Sequence, residues 1–184
     1  SLDISLDAGN GIDLVAGTSL ETPLAEFDLN ETADRLTVDG VAYTFPVGDS
    51  MTAFVGDNTD GSKLFTTACT YGGPSNTLDD CGNVNAGITG GAVSAGASYD
   101  FGNGFTTAVG YQGVGTGIGT LEQNDAYAVN GAYMTDTYGV SITYATVETG
   151  VNEDTFTAVN GFYSPEGFPS ISVGSVSYTH LRAH

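Results

Sequence analysis

Cys69 and Cys81 are the residues of this 184-residue chain best suited to covalent chemistry. Residues 70–80 between them are polar and turn-forming. Two cysteines in one polar loop of an exported chain are expected to form a disulfide. Closing so short a loop would stabilise the fold by roughly 3 kcal/mol in the chain-entropy account. A metal or redox pair is the alternative, but zinc would need further ligands, and both histidines, His180 and His184, lie at the extreme end of the chain. Asp57-Asn58-Thr59-Asp60-Gly61 partly matches a calcium loop. It lacks the full alternation of ligands and the closing Glu, so it reads as an acidic, solvated loop. Gly113, Gly115, Gly117 and Gly119 recur at every second position, which is not the dinucleotide-binding spacing, and no helical pattern follows. There is no nucleophile elbow. No catalytic residue, metal site or cofactor is assigned.

The elements that would carry these residues are strands. Gly (27 residues), Tyr (10) and Phe (9) are abundant and Trp is absent, a composition that disfavours helices. Only 14% of residues are charged, against roughly a quarter in ordinary soluble domains. The balance is one-sided, with 22 Asp and Glu against 3 Lys and Arg and a net charge of −19. That excludes general affinity for nucleic acid, whose phosphates need basic patches, and disfavours binding to anionic lipid surfaces. No run of about 18 apolar residues is present for a membrane-spanning helix. A membrane-spanning strand needs only about 10 residues with alternate ones apolar.

Period-two alternation is the dominant signal. Val93, Ala95, Ala97, Tyr99 and Phe101 interleave with small polar residues. Phe105, Thr107, Val109 and Tyr111 do the same, as do Tyr127, Val129, Gly131 and Tyr133, and then Tyr138, Val140, Ile142 and Tyr144. Residues 155–163 form a less regular run, 2–7 a short one, 36–45 and 51–55 a pair, and 167–174 the start of a last strand. Short turns at 46–49, 102–104, 135–137 and 164–167 carry Gly, Asn, Asp and Pro, which suit tight turns. Longer connections at 8–35, 56–87, 112–124 and 147–154 lie between them, so short and long connections are expected to alternate. Outer-membrane barrels have that asymmetry, with short periplasmic turns and long external loops.

Aromatic residues flank the short turns. Tyr43, Phe45, Tyr99, Phe101, Tyr133, Phe162 and Tyr163 precede them and are expected to form the periplasmic aromatic girdle, at headgroup level. The interleaved face is Gly, Ala, Ser, Thr and Asn, as suits a wall around a wet or plugged lumen. The fold expected is all-β, an antiparallel up-and-down transmembrane barrel fragment of about 8–9 strands. Asp57, Asp60, Asp79 and Asp80 are candidates for a constriction loop, because carboxylates in a pore focus cations and repel anions. The other reading is that these acids keep the loops soluble or bind divalent ions at the surface.

Residues 176–184, Val-Ser-Tyr-Thr-His-Leu-Arg-Ala-His, resemble the conceptual translation of a transposase-type sequencing adapter. Residues 1–175 are accordingly read as the barrel fragment and 176–184 as non-native read-through. Both histidines and Arg182 fall in that tail, leaving Arg35 and Lys63 as the basic residues of the remainder.

The stretch Arg35-Leu36-Thr37-Val38-Asp39-Gly40-Val41-Ala42-Tyr43-Thr44-Phe45-Pro46-Val47-Gly48-Asp49 resembles a hairpin of the cyanobacterial outer-membrane porins, relatives of carbohydrate-selective porins. Gly96-Ala97-Ser98-Tyr99-Asp100-Phe101-Gly102-Asn103-Gly104-Phe105 is similar to their later hairpins, and weaker resemblance spreads over 35–175. The resemblance implies a barrel of about 16 strands in the outer membrane, passing small hydrophilic solutes or inorganic ions. Its implied partners are outer-membrane lipid, other copies in a homo-oligomer (a trimer), and peptidoglycan-linked polysaccharide gripped by an N-terminal domain that nothing here matches. An acidic secreted β-rich binding domain, an adhesin or β-solenoid, is the alternative. An extracellular hydrolase has least support.

Overall fold

The computed structural model describes residues 1–7, 13–15, 37–68, 93–113, 125–149 and 152–181, and within them the chain is all-β. The strands are β1 (Leu2–Asp7), β2 (Asp13–Val15), β3 (Thr37–Val47), β4 (Met51–Asp57), β5 (Val93–Asp100), β6 (Phe105–Gly113), β7 (Asp125–Met134), β8 (Tyr138–Thr149), β9 (Asn152–Tyr163) and β10 (Ile171–Leu181). All join one antiparallel sheet in the order β10-β9-β8-β7-β6-β5-β4-β3-β1-β2. From β3 to β10 every strand pairs with its neighbour in sequence. The antiparallel up-and-down sheet expected from the alternation is therefore present; it is open, its end strands β2 and β10 not pairing with each other, which is consistent with a fragment of a barrel wall.

Turn chemistry fixes one end of this wall. Between β5 and β6, Gly102 and Gly104 have φ of +77° and +86°, which a side chain would strain. The Asp100 carboxylate accepts the Gly102 N–H at 2.8 Å and the Asn103 amide oxygen accepts the Phe105 N–H at 3.3 Å. Between β7 and β8 the Thr135 hydroxyl donates to the Tyr138 carbonyl at 2.7 Å and accepts the Tyr138 N–H at 3.0 Å. Such local side-chain bonds satisfy turn backbone that no ladder reaches.

Three expectations need correction. Residues 147–154 are not a long connection: β8 and β9 stay paired through Val147↔Asp154, Glu148↔Glu153 and Thr149↔Asn152. Polar composition imitates a loop there, but a strand that outruns its apolar band still gains by satisfying its backbone on its neighbour. The alternation of short and long connections fails at this hairpin. Residues 8–35 are not all connection, because β2 lies within them and pairs with β1 through Ser5↔Val15, Leu6↔Leu14 and Asp7↔Asp13. The last strand starts at Ile171 rather than Gly167. Residues 165–168 form a turn, with the Phe168 N–H bonded to the Pro165 carbonyl at 3.3 Å, and the ladder begins beyond Pro169, which has no N–H to give it.

β10 continues into the tail, in register to Leu181↔Glu153. Its pattern changes phase on the way. Ile171 and Val173 pair with Tyr163 and Gly161, whereas Val176 and Tyr178 pair with Ala158 and Phe156 on the opposite face. The apolar residues switch faces at 175–176, where the adapter-like stretch begins.

Candidate functional site

Burial in the sheet is reversed from that of a water-soluble β domain. One face carries Val109, Val129, Val140 and Ile142, each 53–54% exposed. Tyr43, Val55, Tyr99, Tyr127, Tyr138, Tyr144, Val159 and Tyr163 are exposed on the same face. The register makes it continuous: Val109 lies opposite Val129, and Ile142 opposite Val159. The other face holds Ala42, Ser94, Ala108, Ala126, Ala128, Asn130, Ala132, Ser141, Thr143, Ala145 and Ala158, all buried. Water would select the opposite arrangement, since burying a Val or Ile gains about 1.5–3 kcal/mol and soluble monomers rarely expose apolar patches above a few hundred Å².

Residues 58–68 cover the small-residue face. Leaving β4 through Asn58, at φ +53°, they turn at 60–65, where Asp60 O accepts Lys63 N–H (3.2 Å) and Ser62 O accepts Phe65 N–H (2.8 Å). They then run across the strands rather than along them. The Gly61 N–H donates to the Gln112 side chain of β6 at 3.1 Å. The Thr66 N–H donates to the Asn130 amide oxygen of β7 at 2.9 Å, and the Asn130 amide nitrogen donates back to the Thr66 carbonyl at 3.0 Å. The Ala68 N–H donates to the Ser141 hydroxyl of β8 at 2.9 Å. Thr59 and Ser94 hydroxyls meet at 2.5 Å. On the other side, Lys63 forms an ion pair of 2.8 Å with Asp3 of β1. Six inter-strand steps, ~29 Å along a sheet, separate β1 from β8, so this one segment bridges most of the wall.

The small side chains leave room for it. Phe65 and Val147 pack on a buried cluster of Ala126, Ala128, Ala145, Phe156 and Ala158. A side chain at Gly61 would strike the Tyr111 backbone at 2.9 Å. Phe54, the largest fully buried side chain among the described residues, lies over Gly96, where an added Cβ would come within 2.6 Å of the ring. Beside β4 the segment leaves a depression of about 250 Å³ lined by Asn58, Thr59, Asp60 and Lys63.

Of the acidic candidates, Asp60 sits on this inward segment. Asp57 does not share the small-residue face: it ends β4 opposite Val41, in phase with Val55 on the exposed face. Asp79, Asp80, Cys69 and Cys81 lie outside the described residues. Among the described residues no group of three or more His, Cys, Asp or Glu could hold a metal ion, and no helix is long and apolar enough to cross a membrane.

The turn end carries aromatics as neighbours on the exposed face. Tyr43 stacks on Phe45 (centroids 5.6 Å), Tyr99 meets Phe101 edge-on (4.8 Å), and Phe105 and Tyr133 pair across strands (4.9 Å), with Tyr138 beyond (5.9 Å). Tyr163 pairs with Tyr138. Phe162 is a correction. As the neighbour of Tyr163 in a strand it must point the other way, and its ring lies against Gly139 on the small-residue face. A second aromatic row was not expected. Tyr111, Tyr127 and Tyr144 lie six residues along their strands from Phe105, Tyr133 and Tyr138, or about 20 Å, and Tyr111 contacts Tyr127 at 5.3 Å. That repeated spacing is visible in the sequence. Val109, Val129, Val140 and Ile142 lie between the two rows.

No family model, curated protein or solved structure matches this chain.

Proposed function

We propose that the chain is part of the wall of an outer-membrane β-barrel porin, a passive conduit for small hydrophilic solutes or inorganic ions rather than a catalyst. One observation carries the reading: large apolar side chains occupy the exposed face, while the covered face is small and polar and is crossed by a hydrogen-bonded segment. Lipid against the first face removes the cost of exposing it. The two aromatic rows flanking an apolar band fit the two interfaces of a bilayer. The antiparallel meander disfavours a β-solenoid, whose coils stack strands in parallel. The hairpin at residues 35–49 supports a conduit of the cyanobacterial porin kind. Its partners would be outer-membrane lipid and further copies of the same chain.

A cation preference is part of this proposal. It rests on the net charge of −19 and on the position of Asp60, which lines the depression on the segment that covers the small-residue face. Planar-bilayer recording of the intact protein tests both parts. The expected result is stepwise conductance with a reversal potential displaced toward the cation. Extraction from outer-membrane vesicles by carbonate without detergent, with no conductance, would overturn the porin reading. Conductance without cation preference would overturn the selectivity alone.

A further inference from the structure

We infer that Asn130 is the positioning residue that fixes residues 58–68 across the conduit and so sets its limiting width; this rests on the porin reading above. Asn130 is 1% exposed, the only amide side chain among the largest fully buried groups of the described residues. It sits on the small-residue face, where every other buried position within two residues along β7 is alanine: Ala128 and Ala132. A wall that only had to be smooth and small would have alanine here as well.

All of its hydrogen-bonding atoms are engaged, in two directions. Toward the segment, the amide oxygen and nitrogen take the N–H and carbonyl of Thr66 at 2.9 and 3.0 Å. One side chain thereby copies the paired donor and acceptor of a β-ladder residue, and gives residues 58–68 a rung of pairing on a sheet face that offers none. Toward the wall, the same nitrogen reaches the Thr143 hydroxyl at 2.9 Å and the Ile142 carbonyl at 3.3 Å, its two hydrogens shared among three acceptors with the longer Ile142 contact the weakest. The contacts with β8 hold the amide in one orientation, so the clamp is rigid before the segment docks. Thr106 adds a hydroxyl bond to Thr66 at 3.3 Å, and Ser141 holds Ala68 two residues on. Gln112 and Ser94 hold the segment nearer β4. The Asn130 contacts are the only ones of these that secure both backbone polar groups of one residue. Without them the part-buried Thr66 N–H and carbonyl lose their protein partners, which favours the segment's release into the lumen.

Asn130→Leu tests this, since leucine matches the volume and packs among alanines but bonds neither group. In the intact protein, hydrogen exchange at the Thr66 and Ala68 amides is expected to speed by about tenfold or more, as expected for losing partly buried backbone bonds, while the β7–β8 ladder amides are unchanged. Single-channel conductance is expected to rise and become noisier as the segment swings aside. Heat-modifiable gel mobility checks that the variant is folded; if it is not, Asn130→Ser, which keeps one donor and acceptor but is too short to reach both groups, replaces it. Unchanged exchange at Thr66 in a folded variant overturns the clamp. Faster exchange with unaltered conductance in a channel that conducts overturns the link to pore width. A wild-type protein that never conducts overturns the porin reading, while the exchange data still decide whether Asn130 holds the segment.

Discussion

Val129 and Asn130 are adjacent in β7 and lie on opposite faces of the sheet. Val129 is 53% exposed among other Val, Ile and Tyr side chains, whereas Asn130 is 1% exposed among alanines and a crossing segment. In a soluble β domain the valine would be inside and the amide outside. The contrast repeats along β8, where Ile142 is exposed and Thr143 buried. Precision therefore lies on the small-residue face, where hydrogen bonds and close packing set distances. The apolar face needs only to be apolar and of the right height. Substitutions on the two faces should consequently obey different rules.

The sharpest difference should appear on removing an aromatic ring from the covered face. Phe156 is buried in the alanine cluster against which Phe65 packs, so Phe156→Ala should cost about 3–5 kcal/mol, as large-to-small core changes do. The matching change three residues on, Val159→Ala on the exposed face, should cost far less, because among the described residues no neighbouring protein packs over it and, on the porin reading, lipid would follow the smaller surface. Urea titration of folded and unfolded gel bands measures both. Equal losses at the two positions would break the distinction between the faces.

Charge reverses the order of sensitivity. Ile142→Arg should destabilise by about 2–4 kcal/mol if the exposed face meets the middle of a bilayer. In water the same change at a half-exposed position would lie within about 0.5 kcal/mol. Assembly yield in outer-membrane vesicles and the same urea titration provide the readout. A fully tolerated arginine would mean that water, not lipid, covers this face.

The strands and most of the turns were legible because their signals are local. Tyr138, Val140, Ile142 and Tyr144 alternate with residues too small to be a soluble surface, and Gly102-Asn103-Gly104 announces its own turn. Alternation also contained the answer for Phe162: adjacent to Tyr163, it could not share that residue's face, and grouping the two by position near a turn overrode the rule. Residues 147–154 misled because Glu148, Thr149, Asn152, Glu153 and Asp154 resemble a loop when no partner strand is in view. The inward path of residues 58–68 was the least legible feature. Its polar, turn-forming residues promise only a loop, and its anchors, Gln112, Asn130 and Ser141, lie 51, 64 and 73 residues from the groups they bind. Nothing local couples Thr66 to Asn130; the sheet order does.

The smallest effect expected is at Lys63. Its ion pair with Asp3 is 2.8 Å long, but the side chains are 30% and 45% exposed. Pairs so open to solvent contribute less than about 1 kcal/mol, so Lys63→Ala should leave stability nearly unchanged. Its electrical consequence is separate. The substitution takes the formal net charge from −19 to one unit more negative, and removes from the Asp3 carboxylate its strongest cationic neighbour. The reversal potential in a salt gradient should therefore move further toward the cation. The shift should be larger in dilute salt than at 1 M, where the screening length is only about 3 Å. A shift toward the anion, or a stability loss as large as that of Phe156→Ala, would show that Lys63 holds the segment in place rather than tuning the charge that the segment would present to ions on the porin reading.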